Sequence, residues 1–587
     1  MPGFSSILDA LAHWASIAPK DRAYLFLADR GTPQVELTFA ALYERALAVA
    51  AELQARSGRP GDRALLVFPP GLEFLVGLFG CLFAGVVAVP MMPPRRAGLR
   101  DASGAIIADC RPRFALSGER FVLASRTDLA TRPELAEVTW VTVDINRSAA
   151  LSRSSGGIPI DNGALAFLQY TSGSTSMPKG VMVAHDNLVQ NLEMIKAVFG
   201  TARQSTYVSW VPLHHDMGLI LNCLESLYVG AACILMSPTL FLQRPLSWLR
   251  AISDYGAEIA GGPNFAFDHC IARFQPEQMQ GVDLSSWQVA FNAAEPVQAD
   301  TLARFASTFA RYGFDSKAFH PCYGMAEATV LVSGGARGKG AVVRSVSQKA
   351  MQALRVSDAK DDVDVARIVG CGHAVGEERI AIVDPESRRR LKANEVGEIW
   401  LCGPNVGRGY WQNEPATAET FFAEIVDETN GPWLRTGDLG FVDKMGELFV
   451  TGRIKDIIIV RGINYYPQDI EQAVQSASPA FRPGHGAAFS ILDSKGSEKV
   501  VVVQEIERTQ RRKVDPVELC ATAREAVVER HDVFLHDIVL LRPGAIPKTT
   551  SGKIRRRLTR QLWQTGQLDV DIIGADLRAK PNSQLAG

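Results

Sequence analysis

The stretch Tyr170-Thr-Ser-Gly-Ser-Thr-Ser-Met-Pro-Lys179, followed by Gly180, decides how the rest of the chain is read. The apolar run Leu165 to Leu168 before it reads as a strand, and a helical pattern starts at His185, so the stretch is a loop carried on α/β scaffolding. It gathers the hydroxyls of Thr171, Ser172, Ser174 and Thr175, the glycine Gly173 and the ammonium of Lys179. Backbone N–H groups turned by a glycine, hydroxyls and a lysine are the ingredients of a phosphate cradle. The kinase-type loop GxxxxGK[ST] is not met, because Pro178 precedes Lys179 and Gly180 follows it. A polar surface turn rich in serine and threonine is the other reading of such a loop.

Composition narrows the function classes. With 587 residues, 47% of them hydrophobic, the chain can bury more than one core. Lys+Arg of 62 against Asp+Glu of 63 leaves a net charge of -1, so no global field recruits nucleic acid or an anionic membrane, and no nucleic-acid partner is expected. The nine cysteines show no CxxC pair and no metal-ligand spacing, which suits buried thiols in a reducing compartment. The N-terminus lacks a basic start followed by an apolar core, so no secretory signal is read and a cytoplasmic protein is expected. Its Ile7, Leu8, Leu11, Trp14 and Ile17 mark one face of a short helix. Phe74 to Val89 is uncharged but shorter than the roughly 20 residues of a membrane span. A buried helix running into a buried strand is expected there, and no membrane span.

Strand-like runs at Arg63–Phe68, Phe114–Ser117, Trp140–Val143, Tyr207–Trp210, Cys233–Met236 and Val289–Phe291 alternate with helical patterns, which argues for parallel sheets covered by helices. Past Gly452 the texture changes to short β-branched strands with helices at Asp469–Ser476 and Pro516–Arg530. The expected organisation is α/β: a large domain over 1–454, a small α+β domain over 455–577 and a polar tail over 578–587.

Three further constellations have nucleotide-site chemistry. In Tyr323-Gly-Met-Ala-Glu327 an aromatic face can stack on a base and a carboxylate can hold Mg²⁺ against phosphate oxygens. In Trp433-Leu-Arg-Thr-Gly-Asp438 a carboxylate set in a turn can accept from ribose hydroxyls, although many Gly-Asp turns hold no ligand. Pro547-Lys-Thr-Thr-Ser-Gly-Lys553, followed by Arg555, Arg556 and Arg557, delivers a lysine at the head of a basic helix, a run that otherwise reads as a solvated face. Together YTSGSTSMPKGV, YGMAEAT, TGDLG, GRIKD and PKTTSGKIRRR resemble the motif series of the adenylate-forming superfamily over roughly residues 5 to 565. Finer features resemble its fatty acyl-AMP ligases: GDRALLVFPPGLEFLVGLFGCLFAGVVAVP, Ser176 where glycine is usual, HHDMGLI and KDIIIVRGINYYPQDIE.

That resemblance implies a large substrate-binding domain and a mobile small domain swinging about Lys455. It implies ATP and Mg²⁺ as cofactors and a fatty acid as substrate. Lys553 would bridge the attacking carboxylate and the α-phosphate. Lys179, with Thr171, Ser172, Gly173, Ser174 and Thr175, would hold the outer phosphates, and Glu327 would ligate Mg²⁺. Tyr323, with Gly324 and Met325, would stack on adenine beside Ala294, Glu295 and Pro296. Asp438 would hold the ribose and Arg453 would assist at the domain junction. His215, with Asp216 beside it, would line the acyl tunnel. Adjacent His214 and His215 on an extended segment would point to opposite sides, which disfavours a two-histidine metal site.

One residue departs from the superfamily pattern: Ala326 stands where a threonine usually touches the α-phosphate, an alanine that fatty acyl-AMP ligases share. The resemblance also implies an insertion over about 333–376, whose Val342, Val343, Val346, Met351, Leu354 and Val356 are expected to dock on the large domain as an ordered plug. The acceptor implied is the phosphopantetheine thiol of a carrier protein, or of a polyketide or peptide synthetase carrier domain, acting in trans. CoA is implied to be a poor acceptor. The alternatives are a long-chain fatty acyl-CoA ligase, an amino-acid-activating domain and a non-catalytic binding protein.

Overall fold

A computed structural model of the chain describes residues 3–29, 34–93, 103–119, 121–122, 135, 137–145, 159, 161–171, 178–361, 364–493, 498–511, 513–549, 552–568 and 572–575. Ser172, Gly173, Ser174, Thr175 and Ser176 of the opening loop, and the tail over 578–587, lie outside these residues. The chain divides into two compact units, one of Met1–Val342, Cys371–Ala381 and Trp400–Arg435, the other of Val343–Gly370, Ile382–Ile399 and Thr436–Gly587. Residues on both sides of Lys455 thus share the second unit, so these units do not coincide with the 1–454 and 455–577 division expected from the sequence.

The described residues of the first unit build two sheets. In the six-stranded sheet the strands Arg63–Val67, Val87–Met91, Phe114–Gly118 and Thr139–Val143 run parallel, and Leu165–Thr171 joins them beside Val87–Met91. The uncharged run becomes the helix Glu73–Phe83 followed by the strand Val87–Met91, with every residue from Phe74 to Phe83 buried. Burial on all sides is what removes charge from it, each large apolar side chain contributing about 1.5–3 kcal/mol. In the nine-stranded sheet Thr206–Ser209, Ile259–Gly262, Val289–Asn292 and Phe319–Tyr323 are parallel neighbours, so their carboxyl ends open onto one edge. Ligands of parallel α/β sheets bind at such an edge.

Two expectations change. Leu165–Thr171 pairs antiparallel with a strand Lys179–Ala184, with Thr171 opposite Lys179. A strand that the sequence reading did not have therefore stands between the opening loop and the helix His185–Phe199, which begins where its pattern begins in the sequence. The alternating, β-branched Gly180-Val-Met-Val-Ala favours the extra strand. Ile17 closes the N-terminal helix Ile7–Ile17 but is 55% exposed, because the last turn runs past the surface covered by Ile7, Leu11 and Trp14.

In the second unit, Phe481–Leu492, Glu498–Ile506, Leu535–Leu541 and Ile572–Ala575 form a sheet whose faces alternate. Val500 and Val502 pack with Ile470, Val474, Ala523 and Val527 of the helices Pro467–Ala477 and Pro516–His531, while Val501 and Val503 pack with Leu562 of the helix Arg556–Gln564. Among the described residues of the inserted segment, strands Val343–Val346 and Ala366–Val369 pair antiparallel, with the short helix Gln348–Gln352 between them in sequence. Val346 and Met351 are buried against Val396, Leu439, Phe441, Phe449 and Tyr466, with Val356 packed on them. Val342, Val343 and Leu354, expected to dock, are 49%, 47% and 40% exposed. The seat of this segment includes Tyr466, beyond Lys455, as well as the sheet residues before it.

A buried acid braces the first unit. Glu378 is 5% exposed, and a Cβ on Gly403 would lie 2.0 Å from its Oε2 and 2.6 Å from Asn405 Oδ1, so the acid fills the space a side chain would need. Burial pushes its carboxyl up to about 8. A folded value above the unfolded one gives stability that is fully present below about pH 4.5 and is lost as pH rises through about 8. Thermal melts from pH 5 to 9 should therefore show wild type losing stability relative to Glu378→Gln, which cannot charge. Parallel curves for the two proteins would show that the folded carboxyl is already ionised at pH 5, unshifted by burial.

Candidate active site

The first unit gathers several of the motif residues at the carboxyl ends of its parallel strands. Tyr323 ends the strand Phe319–Tyr323 and is 7% exposed. Gly324 follows where the chain doubles back on itself: a Cβ there would sit 1.7 Å from Val330 O, so only glycine fits. Met325 is extended, Ala326–Ala328 form a single 3₁₀ turn, and Thr329 stands at φ 67° with its side chain fully buried. Its hydroxyl donates to Asn405 O at 2.6 Å, so it does not stand in for the hydroxyl that Ala326 lacks. Ala294, at φ 78°, opens the segment with Glu295 and Pro296 just past Val289–Asn292. Asn264 holds that segment by donating to Pro296 O at 2.7 Å and accepting from Gln298 N at 3.1 Å.

The HHD segment is a turn and not the extended run expected: His215 N donates to Pro212 O at 3.1 Å, and the π-helical stretch Met217–Leu224 begins directly after Asp216. Asp216 Oδ1 lies 2.6 Å from His215 Nδ1 and accepts from Met217 N at 2.7 Å. The carboxylate thus fixes the ring and caps the helix at once. Burial, aided by neighbouring His215, pushes His214 down to about 4, which keeps that ring neutral.

Glu327 and Lys179 meet on one aromatic residue absent from the sequence reading. Tyr410 donates its hydroxyl to Glu327 Oε1 at 2.9 Å, and the ammonium of Lys179 lies 4.4 Å from the centre of its ring. Burial, with the Glu327 carboxylate nearby, pushes the phenol well above its ordinary value, so the proton stays on the tyrosine. The signal present in the sequence is Gly407-Arg-Gly-Tyr-Trp411, an aromatic pair in a glycine-bearing loop. Nothing local to those residues names their partners, which lie more than eighty residues upstream.

The second unit carries a separate set. Asp438 is paired in register with Arg453, whose Nε lies 2.8 Å from Asp438 Oδ1. Gly437 N donates to Glu398 Oε1 and Asp438 N to Thr436 Oγ1; the expected turn is instead part of the strand Leu434–Val442, and its carboxylate is only 7% exposed. Lys455 sits in the 3₁₀ turn Ile454–Asp456. Lys553 closes a tight turn: Thr549 N donates to Lys553 O at 2.8 Å and Lys553 N to Thr549 Oγ1 at 3.0 Å. The basic run after it is not simply a solvated face, since Arg556 grips Glu471 through two bonds of 2.6 and 2.7 Å.

A carboxylate held by a tyrosine hydroxyl, a lysine at the head of a strand, an aromatic at a strand end and a buried Gly-Asp pair within a strand suit nucleotide chemistry, and the comparisons agree. The profile of AMP-binding enzymes matches residues 11–411, and that of the AMP domain of Disco-interacting protein 2-like proteins matches residues 455–572. The chain is 42% identical over 575 residues to the medium-chain-fatty-acid–[acyl-carrier-protein] ligase JamA of Moorena producens, covering 97% of this chain and 96% of the relative. It is 34% identical over 614 residues to the long-chain-fatty-acid–AMP ligase FadD32 of Mycolicibacterium smegmatis, covering 98% and 97%. A crystal structure of fatty acyl-adenylate ligase from L. pneumophila, in complex with acyl adenylate and pyrophosphate, matches with a TM-score of 0.74 and 38% identity over 98% of both chains. With its motifs on the elements described and relatives matched from end to end, the chain belongs to the AMP-binding enzyme family and, within it, to the fatty acyl-AMP ligases.

Proposed function

We propose that this chain joins a fatty acid to ATP and passes the acyl group to the phosphopantetheine thiol of a carrier protein supplied in trans. A carboxylate oxygen attacks the α-phosphorus, the α–β bridging bond breaks and pyrophosphate leaves. The carrier thiol then loses its proton and attacks the acyl carbonyl, and AMP leaves. The observation that carries this reading is the joint hold of Tyr410 on Glu327 and Lys179, which places one anionic and one cationic group for a phosphate chain. Two anions must meet in the first step, so preorganised positive charge is the natural catalyst. We assign that charge to Lys553 at the α-phosphate and Lys179 at the outer phosphates, with Thr171 and the loop that follows it.

Glu327 fits a magnesium site of the kind completed by substrate, because Mg²⁺ is bound by one or two carboxylates together with phosphates and water. Among the described residues no group of three or more His, Cys, Asp or Glu side chains forms a cage by itself. When bound, the ion supplies charge neutralisation at the phosphates. We assign Tyr323 with Gly324 and Met325 to adenine beside Ala294, Glu295 and Pro296, Asp438 to the ribose with Arg453 in support, and His215 with Asp216 to the acyl carboxylate end. The nine cysteines, of which only Cys402 is not buried, suit a cytoplasmic setting. No helix among the described residues is long and apolar enough to cross a membrane.

Lys553→Ala should lower adenylate formation on the order of 10² to 10³ while ATP binding changes little, because the charge acts mainly in the transition state. Pyrophosphate release and equilibrium binding of ATP measure the two, and an undiminished rate would remove Lys553 from the mechanism.

We place the hinge at Lys455 and read the inserted segment as a tie across it. Asn464 Nδ2 donates to Gln352 O at 3.0 Å. Gln348 Nε2 donates to His531 Nδ1, while His531 Nε2–H donates to Asp469 O at 3.2 Å, a tautomer consistent with burial holding this imidazole down at about 4. A carrier protein brings an interface whose binding energy can offset loosening of these bonds, whereas free CoA brings only its own contacts. Gln348→Ala combined with Asn464→Ala should therefore raise acyl-CoA formation about fivefold or more with adenylation unchanged. An unaltered CoA rate would mean that the ties are not the barrier. Acyl-CoA synthesis by the intact protein as fast as transfer to any carrier would make it a long-chain fatty acyl-CoA ligase instead.

A further inference from the structure

The segment 407–411 lies along the strand that begins with Lys179. Arg408 N donates to Met182 O at 2.8 Å, Met182 N to Gly409 O at 2.9 Å and Trp411 N to Gly180 O at 2.7 Å. At its start Gly407 N donates to Glu327 O at 2.9 Å. The same five residues are thus bonded to the strand of the phosphate-loop lysine and to the turn of the proposed magnesium ligand. Tyr410 repeats that double attachment with its side chain, through the hydroxyl on Glu327 Oε1 and the ring face under Lys179.

The ring is fixed from behind. Tyr410 is 6% exposed, stands edge-on to Phe421 at 5.1 Å and 86°, and donates its backbone N–H to Thr417 Oγ1 at 2.9 Å. A ring so held cannot follow Glu327 or Lys179 if they move; they are oriented by it. The hydroxyl donates to one named carboxylate oxygen of Glu327, Oε1, and so fixes the plane in which the group is presented. The ring face engages the ammonium from one side, so N–H donors of Lys179 on the other side stay directed away from it.

We propose that Tyr410 is a positioning residue for adenylation, setting the Glu327 carboxylate through its hydroxyl and the Lys179 ammonium through its ring. This rests on the reading above, in which those two groups meet Mg²⁺ and the ATP phosphates. The two halves separate by substitution, since Tyr410→Phe removes only the hydroxyl, and phenylalanine analogues of rising ring fluorination at position 410 weaken the ring's hold on a cation at nearly constant shape.

The test uses the full chain and α,β-methylene-ATP, which binds but cannot release pyrophosphate, titrated with and without Mg²⁺, alongside pyrophosphate release from ATP with a fatty acid. Tyr410→Phe should reduce the Mg²⁺-dependent gain in analogue affinity on the order of tenfold, with affinity in the absence of Mg²⁺ unchanged. Across the fluorinated series, affinity without Mg²⁺ should fall stepwise, by roughly fivefold in total. A Tyr410→Phe protein with wild-type Mg²⁺ dependence overturns the hydroxyl's role. Affinity that stays level or tightens with fluorination overturns the ring's role, the latter by showing that it competes with the phosphates for Lys179. Wild-type protein that binds the analogue yet releases no pyrophosphate with any fatty acid would count against the proposed function and not against Tyr410.

Discussion

Four backbone hydrogen bonds from the segment 407–411 set the geometry on which the first unit's chemistry depends. Three go to the strand Lys179–Ala184 and one to the turn holding Glu327. Each is worth only about 0.5–1.5 kcal/mol net. Their importance is spatial: they bring a lysine at the head of a strand and a carboxylate at the end of a parallel strand to one tyrosine. Without that segment the two groups would belong to different sheets with no fixed separation, since Leu165–Thr171 and Phe319–Tyr323 are members of different sheets.

Buried amides extend the same bracing. Asn191 donates to Leu331 O at 2.7 Å and accepts from Leu331 N at 3.0 Å, Asn405 donates to Leu331 O at 3.3 Å, and Asn187 donates to Pro404 O and Val406 O. These side chains give hydrogen bonds to a sharply turned backbone that has no strand neighbour to supply them. The strained Thr329 and the close pass at Gly324 persist because this network over-determines them.

In the second unit the inserted segment joins two kinds of support. Val346 and Met351 enter an apolar core with Phe441 and Phe449 from before Lys455 and Tyr466 from after it. Asn464 and His531 add directional hydrogen bonds at the rim of the inserted segment. An apolar seat gives affinity without direction, and the amide and imidazole contacts give a single register. Such a seat suits an element that resists rearrangement without being covalently tied.

Much of the architecture was legible in the residues themselves. Period-two and β-branched runs located strands such as Val289–Asn292 to within a residue, and the helical pattern from His185 and the uncharged run at Phe74 became the expected elements. Short motifs identify chemistry because a phosphate, a ribose or a carboxylate demands particular side chains at short spacing, so the family and its nucleotide chemistry follow from local spelling. Tertiary structure decided what depends on distant partners. It placed Lys179 at the head of a strand, turned the HHD segment, exposed Ile17, Val342 and Leu354, and kept Glu378 buried. It also gave Tyr410 its meaning, since its two partners lie far upstream and no periodicity or spacing connects them. Local spelling records what a residue can do, and only the closed chain, by fixing distances between groups remote in sequence, determines which of those possibilities meet.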